Sequence, residues 1–152
     1  MRAYRTIAVA GLAAGSLAFL VPAQAATSFV GTGPTSGIRF CYFAPSPQGS
    51  GNGVTAAHPT SCRDTHSAAA MHQVVQELNG LKDQPRGEGT CVRDNGSETR
   101  VVITYRDGHR ERVDVHNSGC QVATHPPKGP KSTTHAVRQD VARRAGYSGT
   151  VA

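Results

Sequence analysis

The sequence predicts an α+β domain: a small antiparallel sheet covered by one main helix, tied by two disulfides, with a flexible N-terminal lead-in and a loosely docked C-terminal helix. Three observations carry this. Apolar residues recur at three- and four-residue spacing over residues 63–81, which is the period of a half-buried helix. They alternate with polar residues on both sides of Asp107-Gly108, which is the period of a hairpin. All four cysteines lie beyond an exportable leader, where oxidation is permitted.

The leader is residues 1–25. Arg2 and Arg5 give a basic start, Ile7 to Val21 an apolar run, and Ala23-Gln24-Ala25 a small-x-small cleavage site. The whole chain has 152 residues, with 16 Lys and Arg against 10 Asp and Glu, and two of those arginines leave with the leader. The mature part is then mildly basic and of one-domain size. No second apolar stretch is long enough to cross a bilayer, so no membrane partner is expected, and the expected location is extracellular. An even cysteine count favours disulfides over free thiols. Of the three pairings open to Cys41, Cys62, Cys91 and Cys120, the sequential one is preferred, because its loops are local and Cys91 and Cys120 flank the hairpin. Zinc would need closer ligand pairs than these spacings of more than twenty residues, so no metal and no cofactor are expected.

Residues 26–37, polar and rich in Gly, Thr and Ser, predict the lead-in, and residues 38–122 the disulfide-stabilised domain. The domain opens on the strand Ile38-Arg39-Phe40-Cys41-Tyr42-Phe43, with β-branched and aromatic content. Pro45 to Gly53 is too rich in Pro, Gly and Ser for regular structure. The main helix, Arg63 to Leu81, buries Met71, Val74, Val75, Leu78 and Leu81 and shows His72, Gln73, Gln76 and Glu77 to water. Asp64 or Thr65 caps its start, and Asn79-Gly80 stops it. Lys82 to Gly89 reads as loop.

The hairpin runs Arg100 to Tyr105 and His109 to Val115. A two-residue Asp107-Gly108 turn would put Val113 and Val115 on the wrong face from Ile103. A three-residue turn, with Gly108 left-handed in a G1 bulge, pairs Ile103 with Glu111 and Val101 with Val113. Only that register gathers Val101, Ile103, Tyr105, Val113 and Val115 on one face. The other face then carries Arg100, Arg106, Arg110 and Arg112, a candidate anion-binding surface, with Val102, Thr104 and Asp114 between them. Residues 123–152 follow as a Pro- and Lys-rich connector and a short helix. Thr134 caps the helix, Val137, Val141 and Ala145 share its stripe, and Arg138, Arg143 and Arg144 face solvent on docking.

Two resemblances add expectations. Phe40-Cys41-Tyr42, the helix ending Leu78-Asn79-Gly80-Leu81, Cys91, Val101 to Tyr105, Asp107-Gly108, Val113-Asp114-Val115 and Gly119-Cys120 resemble a small secreted domain of high-GC actinobacteria whose function is largely unassigned. Cys62 is an addition to that pattern. A second similarity is to the Streptomyces subtilisin inhibitor family, which also has two sequential disulfides and a His-Pro before the second cysteine, here His58-Pro59 before Cys62. That resemblance implies a reactive bond between Arg93 and Asp94 and trypsin-like targets. Val92 stands where the family has proline, and Asn95-Gly96 replaces its Tyr-Asp-Pro-like continuation.

No motif for catalysis is present: no G-x-S-x-G, H-E-x-x-H, Walker loop or dinucleotide fingerprint. The seven histidines form no i,i+4 pair on a helix and read as titrating surface residues. The expectation is a secreted, non-enzymatic binding or interaction module, with a protease inhibitor as the alternative. An extracellular protease or another protein is the expected partner, with weak polyanion binding through the arginine face.

Overall fold

The computed structural model describes residues 28–45, 56–84 and 94–151. Its elements are β1 (Thr35–Phe43), β2 (Ser61–Thr65), α1 (Ala68–Asn79), β3 (Lys82–Asp83), β4 (Glu98–Tyr105), β5 (Arg110–His116), β6 (Val122–His125), β7 (Lys128–Ser132) and α2 (His135–Arg144). The strands form one sheet of seven, ordered β2-β1-β4-β5-β6-β7-β3, with neighbours antiparallel throughout. The α+β class holds, but the sheet is wider than the three strands expected. The proposed leader, Cys91 and Arg93 lie outside the described residues.

The hairpin has the expected register. Val101 pairs with Val113 and Ile103 with Glu111. Gly108 is left-handed at φ +85°, and Tyr105 N–H donates to His109 O at 2.9 Å, which closes the bulged turn. Val101, Ile103, Tyr105, Val113 and Val115 are all buried. Ile38, Phe40 and Tyr42 of β1 continue this core face, since Ile38 lies opposite Ile103.

The main helix is shorter than expected because its first turn belongs to a strand. Residues 61–65 form β2 against β1, with Cys41 directly opposite Cys62 and the two joined by a disulfide. Ser67, not Asp64 or Thr65, caps α1 by accepting from Ala70 N–H. Met71, Val74 and Leu78 are buried, with Val75 and Leu81 packed beside them. Cys120 carries no free thiol, and its expected partner Cys91 is among the residues not described.

Three expectations at the chain ends are overturned. The described part of the lead-in is docked: Phe29 and Val30 are buried in the core, and Val30 N–H donates to Asn79 Oδ1 at 2.8 Å. Burial of these two apolar residues and hydrogen bonds from Gly31 N–H to Glu111 and from Lys128 Nζ to the Ser28 and Phe29 carbonyls hold it there. The connector is a hairpin, β6 and β7, reversing at the cis Pro126-Pro127 bond, and β7 also pairs with β3. The C-terminal helix is firmly packed. Val141, Ala142 and Ala145 join the same core, Tyr147 stacks on Tyr42 at 4.1 Å, and Gln139 holds the last residues through Gly149 O and Val151 N–H. Arg138 is buried rather than solvent-facing, with Nη1 donating to Thr133 O, and burial lowers its pKa. Both helices thus cover one face of the sheet, and among the described residues the opposite face keeps Arg39, Arg110 and Arg112 exposed.

Candidate functional site

Two-residue alternation places the outward side chains. Arg100, Val102 and Thr104 of β4 and Arg110, Arg112 and Asp114 of β5 share the face away from the helices. Arg39 of β1 joins them, opposite Val102, and was not among the expected arginines. The alternation of Arg39 with Ile38, Phe40 and Tyr42 was the signal that could have found it. Arg106 does not join them. It sits in the turn, where strand alternation ends, and borders a different depression of about 570 Å³ beside α1 with His66, His72 and Met71.

Two of the four expected arginines are neutralised within the sheet. Asp114 lies opposite Arg100 and accepts from its Nε at 2.9 Å, while Arg112 Nη2 reaches the other carboxylate oxygen at 2.5 Å. Arg100 Nη2 also meets Glu98 at 3.1 Å, and its guanidinium lies 4.5 Å from the Phe43 ring centre. Burial raises the Asp114 carboxyl, but the hydrogen bonds from Arg112 and Arg100 outweigh it and hold the group below its ordinary value. Glu98 is pushed above its ordinary value, first by burial and then by the neighbouring Asp114. Arg39 is likewise paired, with Asp64 at 2.8 Å.

Arg110 differs from these. It is exposed and, among the described residues, meets no carboxylate. It also stands between two depressions. One, of about 250 Å³, lies over the sheet with Arg39, Asp64, Val102 and Thr104. The other, of about 500 Å³, lies beyond β5 with Arg112, His125, Pro126, Pro127 and Lys128. A guanidinium so placed offers its planar fork to a carboxylate, sulfate or phosphate entering from either side. No protein-family model, curated protein or solved structure matches the chain.

On the core face a second polar group was missed. Glu111, paired with Ile103, points inward, and its Oε2 accepts from Tyr105 Oη at 2.6 Å and from Gly31 N–H at 2.7 Å. Burial raises the Glu111 carboxyl, yet these two donors hold it below its ordinary value. Burial, then the bond to Glu111, pushes the Tyr105 hydroxyl up. His125, expected at the surface, is buried beside them. Its Nδ1 donates to Arg112 O at 2.9 Å, Nε2 stands 3.6 Å from Glu111, and its ring meets Phe29 edge-on. The signal was a carboxylate at an inward position of the hairpin register. Its partners came from residues 31 and 125, which no local pattern connects to it. Among the described residues no group of three His, Cys, Asp or Glu side chains is arranged to hold a metal.

Of the expected reactive bond, Asp94 alone is described. It is half-buried, and its Oδ1 accepts from Gly96 N–H at 2.8 Å and Ser118 Oγ at 2.6 Å. Gly119, left-handed at φ +66°, packs so closely that a Cβ there would come within 2.7 Å of Asp94 Cβ.

Proposed function

We propose that this chain is an exported, non-enzymatic binding module that engages anionic groups of an extracellular partner through the open sheet face around Arg110. The observation that carries the reading is the contrast among the arginines. Arg39, Arg100 and Arg112 are held by carboxylates, whereas Arg110 is exposed between two depressions and meets none among the described residues. The Cys41–Cys62 disulfide fits an oxidising environment, as export requires. Among the described residues no helix is long and apolar enough to cross a membrane.

Retention on immobilised heparin tests the reading. Arg110→Ala elutes at lower salt than Arg143→Ala, which removes the same charge from an exposed position on α2. Equal elution of the two variants overturns it.

The alternative reading, a subtilisin-inhibitor-like protease inhibitor with Arg93 as specificity residue, is favoured by the anchoring of Asp94. A side chain next to the reactive bond, tied to Ser118 and packed on Gly119, would brace that loop against the body of the protein. Stoichiometric slowing of trypsin supports it, and unchanged trypsin activity with excess protein removes it.

A further inference from the structure

We infer that the edge of β5 at Arg110–Arg112 takes an acidic, extended segment of a partner protein as an added strand. This rests on the reading that Arg110 engages anions, and it names the partner's chemistry.

The edge is open because two hairpins of unequal reach lie side by side. β5 pairs with β6 only at Asp114 and Val115, and the β6–β7 hairpin turns back at Pro126-Pro127. Residues 110–113 therefore have β4 on one side and, among the described residues, no strand on the other. The direction of their backbone groups follows from two contacts. His109 O accepts from Tyr105 N–H of β4, so odd-numbered residues turn toward β4. Arg112 O accepts from His125 Nδ1 on the opposite side, so even-numbered residues turn outward. Arg110, two residues before Arg112, thus presents its own N–H and C=O to the depression of about 500 Å³ beyond β5.

Charge selects what pairs there. The Arg110 and Arg112 side chains are exposed along this edge, and Lys128 borders the far wall, with Nζ donating to the Ser28 and Phe29 carbonyls. The bordering carboxylates are both engaged. Glu111 points inward to Tyr105 and Gly31, and Asp114 is held by Arg100 and Arg112. Pro126 and Pro127 supply an apolar wall without N–H donors to compete. An added strand carries side chains on one face every second residue, at about 6.6 Å, which matches the Arg110 to Arg112 repeat. An acidic residue on that face meets the Arg110 guanidinium while the peptide backbone pairs with the Arg110 N–H and C=O, and Arg112, itself held by Asp114, lies two residues farther along the same edge. A sulfated polysaccharide matches the charges but has no amide ladder to offer. A charged edge strand is also the common device for discouraging strand addition, so the two roles must be told apart by measurement.

The probe is an acetylated, amidated hexapeptide of alternating Glu and Val, with two relatives N-methylated at all Glu or at all Val positions. Charge is unchanged in all three. Strand addition predicts slowed exchange of the Arg110 amide hydrogen on binding the parent peptide. It also predicts binding about tenfold weaker for one methylated relative, because only one set of N–H groups faces β5. Arg110→Ala weakens all three. If both relatives bind as well as the parent, or Arg110 amide exchange is unchanged, contact is by charge alone, and the strand inference falls while the anion reading stands. Heparin retention without any peptide binding has the same meaning. Loss of both, with Arg110→Ala and Arg143→Ala indistinguishable on heparin, removes the two together.

Discussion

Glu98 and Asp114 share one arginine yet their carboxyls are shifted in opposite directions from their ordinary values, and the sign of each shift decides how acid acts on the fold. Asp114 lies below its ordinary 3.8, so its contribution is present above that pH and lost as pH falls through its folded value. Glu111 behaves alike below 4.5. Glu98 lies above 4.5, so folding favours its protonated form and stability is lost as pH rises from about 4.5 through its folded value. A neutral glutamine at this position keeps a donor for Asp114 and an acceptor for Arg100. Glu98→Gln therefore raises the urea midpoint at pH 7, and the gain over the parent shrinks at pH 4. Removing the inward carboxylate has the opposite effect. Glu111→Ala leaves the Gly31 N–H without its acceptor and lowers stability at pH 7 by about 1–3 kcal/mol. That deficit narrows in acid, where the parent loses the same contribution. Urea unfolding at several pH values checks both variants. These roles were only half legible in the sequence. The register of the hairpin put Glu111 inward and Asp114 among the arginines, but Gly31 and His125 arrive from distant segments that no spacing rule connects.

The hairpin formed by β4 and β5 was legible almost completely, because two constraints agree. Its hydrophobic alternation and its glycine both demand the bulged three-residue turn. Gly108 tests this in isolation, since an added Cβ would meet nothing within 4 Å and the cost is purely conformational. Gly108→Ala lowers stability by about 1–2 kcal/mol, and Gly108→Asn, which tolerates the left-handed region better, by less. Helix α2 was read correctly in its cap, Thr134, but its stripe only in part, since Val137 stays outside the core while Ala142 and Arg138 are buried, and its docking was missed. Its average composition is polar, and only Val141, Ala142 and Ala145 enter the core. Val141→Ala lowers stability by about 2 kcal/mol, because the side chain is fully buried. A loosely attached helix would show almost no change in the same denaturation experiment. The start of α1 was misplaced for a different reason. Asp64 and Thr65 suit a helix cap, but pairing of residues 61–65 with β1 across a disulfide outweighs that weak local preference.

At the scale of the molecule, one sheet of seven strands gathers segments that local patterning describes separately. β1 pairs with β4 rather than with β2 alone, and β3 reaches the far edge through β7. The Cys41–Cys62 crosslink closes a separation of 21 residues at the other edge, between β1 and β2. By the chain-entropy account such a loop is worth about 3 kcal/mol. The double variant Cys41→Ala, Cys62→Ala is expected to stay folded, because β1 retains β4 and the helix-covered core. Its urea midpoint falls by the equivalent of that energy. A variant that loses cooperative unfolding altogether would mean that the crosslink, and not the shared core, holds this end of the sheet together.

The chain read in order was enough for the α+β class, the hairpin register, the buried stripe of α1 and the cysteines available for crosslinking. Each of these follows from a period or a turn residue within a short window. Only the folded neighbourhood decided that Phe29-Val30 docks, that the proline-rich connector becomes two strands, and that Arg100 and Arg112 are neutralised while Arg110 has no carboxylate beside it among the described residues. Those outcomes depend on which distant segments share an edge or a face. Burial and ion pairing act through space, and a single chain read in order carries no direct record of who its neighbours across the fold will be.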